Sequence, residues 1–244
     1  MLLIFMDLDQ TMLRSGSLQN HSEPQKACDV KKTSQYGVFG PPYMLEGTMM
    51  YWIMHQKLLR LAINNNDNCK IIFVTMAGHT EKKISESMCY FVNYGYRKDH
   101  HSKMPTTLDG KVGYDVLNYA HLSSFEKDLA VFNATHWNLK CDDGTINREA
   151  NFSRHGILKK LGIERYVAKK KLENHAGEEK VEIIVVDDND SVRDELLRVS
   201  RTNISRVEVF DPRLADYNDQ LAYIGSKIRY HNRRHGLNEG SIES

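Results

Sequence analysis

One stretch at the start of the chain constrains the fold more than any other. Leu2 to Thr11 reads L-L-I-F-M-D-L-D-Q-T, an apolar run that passes directly into two carboxylates placed two apart. A short apolar run ending in acids predicts a buried parallel strand whose carboxyl end opens onto a site. Asp7 then lies at the strand tip and Asp9 in the turn beyond it. Side chains two apart on extended backbone point the same way, so both carboxylates can face one pocket. A carboxylate can attack phosphorus and form an aspartyl phosphate, splitting one hard hydrolysis into two displacements. Asp7 suits that work. The leaving alkoxide needs a proton and the later water must lose one, which suits a second carboxyl, Asp9. Two solvated acids that finish a strand and cap the next turn would give the same short pattern. The rest of the chain decides between them.

The pattern recurs twice. Lys70 to Thr75, K-I-I-F-V-T, ends in a hydroxyl at a strand tip, suited to hold a phosphate oxygen before a helix N-terminus. Val181 to Asp188, V-E-I-I-V-V-D-D, ends in a pair of acids, Asp187 and Asp188. Strands at 2–6, 70–74, 128–132, 182–186 and 206–210 alternate with helical patterns, which predicts βαβ units. The fold class is therefore α/β: a Rossmann-like three-layer sandwich with a mainly parallel five-stranded sheet. In such sheets ligands bind beyond the carboxyl ends of the strands, near the point where strand order reverses. Asp7, Asp9, Thr75, Asp187 and Asp188 all fall at that edge.

Between the strands, residues 12–40 read as a polar loop or hairpin flap beside the site. An apolar stripe from Tyr43 to Ile63 predicts a helix, and a second passes through Ile84, Met88, Phe91 and Val92. Residues 96–127 suggest loop with a short helix near 115–119, and a small insert is expected within about 96–150. Ser153 to Leu161 predicts a short helix ended by Gly162, with a second short helix carrying Lys169, Lys170 and Lys171 and stopping near Gly177. A helix over Val192 to Val199 follows, then one through Leu214, Leu221, Ile224 and Ile228. The single domain is expected over 1–230, with a polar tail from 231 to 244. His231 and His235 have a zinc-like i,i+4 spacing, but beside Arg233 and Arg234 they read as part of that tail.

Composition excludes little else. The net charge of +1, from 33 basic and 32 acidic residues, gives no electrostatic argument for nucleic acid or an anionic membrane. Cys28, Cys69, Cys89 and Cys141 form no zinc spacing and read as reduced thiols of an intracellular, cytoplasmic protein. The N-terminal apolar run is too short for a signal peptide and lacks a basic lead-in. No run approaches ~18 apolar residues, so no membrane span is predicted.

Taken together, the motifs resemble the haloacid dehalogenase superfamily, most of whose members are magnesium-dependent phosphohydrolases. D-L-D-Q-T at 7–11 is similar to its first motif, Thr75 after I-I-F-V to its second, and V-V-D-D at 185–188 to its fourth. The third motif is a lone lysine upstream of the fourth. Of Lys169, Lys170 and Lys171, Lys170 is taken for that role, with Lys159 and Lys160 as runners-up. Gln10, where the family often has Gly or Glu, bears on the turn rather than the chemistry. The resemblance implies one Mg²⁺ held by Asp7, the main-chain carbonyl of Asp9 and Asp187, with Asp188 in its outer shell. It implies Thr75 and Lys170 on the phosphate oxygens. Asp9 favours phosphoryl chemistry over carbon–halogen cleavage, since the family's dehalogenases lack that acid.

Residues 12–42 are too short for a full helical cap after the first motif, which resembles the capless branch. That branch includes protein phosphatases, so a phosphorylated protein, phosphotyrosine first, is the expected substrate and partner. A small-metabolite phosphatase is the alternative. A catalytically silent phosphate-binding module that keeps the fold is the rival from another class.

Overall fold

The computed structural model describes residues 1–14, 48–63, 68–76, 84, 87, 88, 91, 114–117, 148–173 and 180–234. The elements are β1 (Leu2–Asp7), β2 (Leu13–Arg14), β3 (Thr48–Met49), α1 (Trp52–Ile63), β4 (Cys69–Val74), β5 (Tyr114–Leu117), α2 (Arg148–Glu173), β6 (Val181–Val186), α3 (Asp190–Leu196), β7 (Ile204–Phe210) and α4 (Tyr217–Arg234).

β1 is the middle of a parallel sheet ordered β5-β4-β1-β6-β7. Every residue of β1 and β4 is buried, as their unbroken apolar runs require of strands covered on both faces. Strand parity sorts their side chains. Leu2, Ile4, Met6, Ile71, Phe73, Ile184 and Val186 share one core with apolar residues of α1 and α4. Leu3, Phe5, Ile72, Val74, Val181, Ile183 and Val185 share the other with residues of α2 and α3. The result is a Rossmann-like layering of helices on both sides of a parallel sheet. β4 lies on one side of β1 and β6 on the other, so strand order reverses at β1.

Several sequence expectations shift. The strand expected over 128–132 lies outside the described residues. β5 forms at Tyr114–Leu117, where a loop and short helix are expected, and pairs parallel with β4. Its Tyr, Val and Leu suit a strand as well as a helix turn, and a free sheet edge decides the matter. The helix expected from residue 43 begins at Trp52, because Thr48–Met49 pairs antiparallel with Leu13–Arg14. Tyr51, at φ 46°, turns the chain from that ribbon into α1. Of the second predicted helix, Ile84, Ser87, Met88 and Phe91 are helical and buried, and Val92 lies outside the described residues.

The largest change concerns α2. Gly162 does not end a helix: α2 runs 26 residues through both Gly156 and Gly162. An interior glycine costs about 1 kcal/mol, less than the burial of Leu158, Ile163, Tyr166 and Val167 along the same helix returns. Gly156 has a further use, since a Cβ there would stand 3.1 Å from Val192 Cα, so its absence lets α2 approach α3. α4 continues past the expected boundary at 230, with His231 and Asn232 buried on it. Leu214, expected in that helix, lies ahead of it and is exposed. Cys69 is a free, buried thiol whose pKa burial pushes up to about 12; the other three cysteines lie outside the described residues. Among the described residues no helix is long and apolar enough to cross a membrane.

Candidate active site at the carboxyl edge of the sheet

The register brings three strand tips together. Asp7 pairs with Val74, and Met6 with Val186, so Asp7 and Asp187 stand level where β1 and β6 end, and Thr75 follows one residue beyond on β4. Parity does the rest. Asp7 continues the Leu3, Phe5 series and Asp187 the Ile183, Val185 series, so both carboxylates face the α2 side of the sheet.

There they meet a lysine. Lys159, on α2, donates to Asp7 Oδ1 at 2.7 Å and to Asp187 Oδ2 at 2.6 Å. All three side chains are at most 7% exposed. Burial pulls the Lys159 pKa down, but Asp187 and Asp7 outweigh burial and hold it above the usual lysine range. The same burial pushes the Asp7 carboxyl well above its usual range. Lys159 opposes that push, while Asp187 and Asp188 add to it. Asp188, half-buried beside them, is pushed up to about 6 by burial and by Asp187. One ammonium thus bridges two of three clustered carboxylates, and Arg213 acts on the third from further off.

The turn after β1 brings in the remaining groups. Leu8 carbonyl accepts from the amides of Met12 and Leu13, and Gln10 sits at φ 59°, so the chain folds back tightly. A glycine would take that left-handed conformation without strain. Thr11 Oγ1 donates to Asp7 Oδ2 at 3.3 Å, and Thr75 Oγ1 to Asp9 Oδ2 at 3.2 Å. Asp9 therefore stands on the β4 side of Asp7, opposite Asp187. On the β6 side, the Asn189 amide donates to Asp187 Oδ1, and Arg193 Nη1 donates to the Asp187 carbonyl at 2.7 Å. Asn189 also caps α3 through the Val192 amide.

Asp7, Asp187 and Asp188 each offer a carboxylate oxygen, and these oxygens lie within 4.8 Å of one another. An oxygen-only donor set of this kind fits a hard cation, and a cation would favour the ionised forms of Asp7 and Asp188, which burial first and the neighbouring carboxylates second disfavour.

The structure places Asp7, Asp9, Thr75, Asp187 and Asp188 at one edge of the sheet. It does not bring Lys170. That residue lies eleven positions beyond Lys159 on one continuous helix, about 16 Å along its axis. Its Nζ sits 5.6 Å over the Tyr166 ring. Lys171 next to it reaches Asn203, just before β7, which marks the opposite edge of the sheet. Lys159, the runner-up, occupies the site. Lys160 faces away and pairs with Glu195. His231 pairs with Glu182 Oε2 at 3.1 Å and is part of α4, while His235 lies outside the described residues. Comparison with protein-family models, with curated proteins and with solved structures gave no match.

Proposed function

We propose that the protein is a phosphomonoester hydrolase working through an aspartyl phosphate, with the architecture and chemistry of the haloacid dehalogenase superfamily. A single observation carries the reading: a buried lysine is clamped between two strand-tip carboxylates far apart in the sequence, beside a third acid and across from an Asp–Thr pair.

In this reading the Asp7 carboxylate attacks phosphorus and the ester P–O bond breaks. The Asp9 carboxylic acid gives its proton to the departing oxygen. A water then loses a proton to Asp9 and attacks the same phosphorus, the acyl phosphate bond breaks, and Asp7 is restored. The Lys159 ammonium and the Thr75 hydroxyl bind phosphoryl oxygens and stabilise the charge that develops on them. Thr11 orients Asp7 through its hydrogen bond. Mg²⁺ held by Asp7, Asp187 and Asp188 would offset repulsion between the anionic nucleophile and the anionic phosphate. The leading substrate is a phosphotyrosine phosphoprotein, with small-metabolite phosphates as the alternative.

The test is Mg²⁺-dependent hydrolysis of 4-nitrophenyl phosphate by the wild type and by Asp7→Asn. Turnover by the wild type that falls at least about a thousandfold in the variant is expected. A wild type with no turnover on any phosphomonoester overturns the reading and leaves a phosphate-binding module.

A further inference from the structure

The lysine at the site is only the lowest member of a stripe. α2 runs antiparallel to the strands, with Lys159 at their carboxyl edge and Lys171 beside Asn203 at the amino edge. The turns that precede Lys159 therefore rise above the sheet, over the mouth of the site. At ~1.5 Å per residue, His155 stands about 6 Å and Phe152 about 10 Å above Lys159 along the helix axis. Residues 152, 155 and 159 are spaced i, i+3 and i+7, so all three share one face. The neighbouring face of the same turns is already used, with Gly156 against α3 and Leu158 in the core.

We propose that this overhanging part of α2 is a specificity wall, in which Phe152 and His155 grip the aromatic leaving group of an aryl phosphomonoester. The proposal rests on the phosphatase reading above and narrows its substrate class. Phe152 is 40% exposed, and its ring meets the His155 ring edge-on at a centroid distance of 6.1 Å. A single exposed phenylalanine needs no explanation by itself. Here it continues the line of the phosphate-binding lysine. With phosphate oxygens on Lys159, the next group outward along the stripe is an imidazole and the one after it a phenyl. Both offer ring faces and edges for another ring. Neither offers the charge or hydroxyl groups that would select a sugar or a carboxylated leaving group. In support, burial, Lys159 and Arg154 push the His155 pKa down to about 4, so at neutral pH it presents an uncharged ring.

Two measurements on the whole protein test this with Mg²⁺ present. In the first, kcat/KM is compared on 4-nitrophenyl phosphate and glycerol phosphate for the wild type, Phe152→Ala and Phe152→Tyr. The expected result is an aryl-to-alkyl selectivity that falls about tenfold in Phe152→Ala, mainly through KM, and returns in Phe152→Tyr. Selectivity that does not move in Phe152→Ala overturns the wall while leaving the phosphatase reading intact. In the second, calorimetry compares phenylphosphonate with methylphosphonate, which needs no turnover. If the wild type hydrolyses nothing, the phosphatase reading falls, and the wall is then judged by binding. A phenyl preference that drops about tenfold in Phe152→Ala supports it, and equal affinities or no binding of either compound overturns it.

Discussion

Lys159 Nζ lies 2.6 Å from Asp187 Oδ2, joining the middle of α2 to the tip of β6 through two buried side chains. Removing the ammonium leaves the buried Asp7 and Asp187 without the cation that pairs them. Lys159→Met should therefore cost about 3 to 5 kcal/mol of stability at neutral pH without divalent cation. Millimolar Mg²⁺ should return part of that loss if it binds the folded acids. Urea unfolding with and without Mg²⁺ measures both effects. Lys170→Met, on the same helix but at the other edge of the sheet, should stay within about 0.5 kcal/mol of the wild type and keep its activity.

Asp188 gives a pH signature of its burial beside Asp187. Its folded pKa, pushed up to about 6, lies above the ordinary carboxylate value. Between pH 4 and 6 the unfolded chain releases this proton while the folded one keeps it, so stability from this group falls as pH rises. Asp188→Asn should therefore be more stable than the wild type at pH 7 in chelator, by up to about 3 kcal/mol, with the gap closing near pH 4. Added Mg²⁺ should shrink the gap by favouring the wild type. Melting temperatures across pH, with chelator and with Mg²⁺, read this directly.

His55 predicts the opposite slope. It is buried between the Met50 carbonyl, 2.6 Å from Nδ1, and the Tyr217 hydroxyl, 3.1 Å from Nε2. Burial, against the Met50 hydrogen bond, pushes its pKa down to about 4. The unfolded chain takes up a proton near pH 6.5 that the folded one refuses until about 4, so this group's contribution is lost as pH falls through that window. His155 adds to the same slope. In denaturant titrations, His55→Asn should lower the dependence of stability on pH between 6.5 and 4, while its absolute stability drops as well.

Gly156→Ala tests the close approach of α2 to α3. Alanine improves helix propensity by up to about 1 kcal/mol. Its methyl would meet backbone at Val192 and the Glu195 side chain at 3.1 Å, and forcing those helices apart costs about 1 to 3 kcal/mol. The net effect should be destabilising. α3 carries Arg193, which holds the Asp187 carbonyl, so the half-saturating Mg²⁺ concentration for hydrolysis should rise in the same variant.

Which parts of the site could be read from the chain follows from what kind of signal each residue carries. Asp7, Thr75 and Asp187 end apolar strands, and a strand's parity and end are written in a few adjacent residues. Lys159 carries no such local mark. Lys159 and Lys170 lie near one helical stripe three turns apart, so face alone does not separate them. The length of the helix does, and Gly162 read as a terminator hid that length. Burial of Leu158, Ile163, Tyr166 and Val167 on both sides of Gly162 overrides the glycine, and that energy is tertiary. β5 was missed for a related reason: four residues with mixed preferences became a strand because β4 had an unpaired side.

The central place of β1 also governs how the molecule can be built. Its first neighbour, β4, is made about 70 residues later, but β6, its partner on the other flank, follows some 180 residues after it. At ribosomal speeds of roughly 5 to 20 residues per second, Asp7 waits on the order of ten seconds or more before Asp187 exists to stand beside it. Through that interval the nascent chain carries a half-built, sticky ribbon with one open flank, the sort of surface chaperones hold. The acidic cluster would thus be completed late and all at once, when the segment that carries β6 docks against β1.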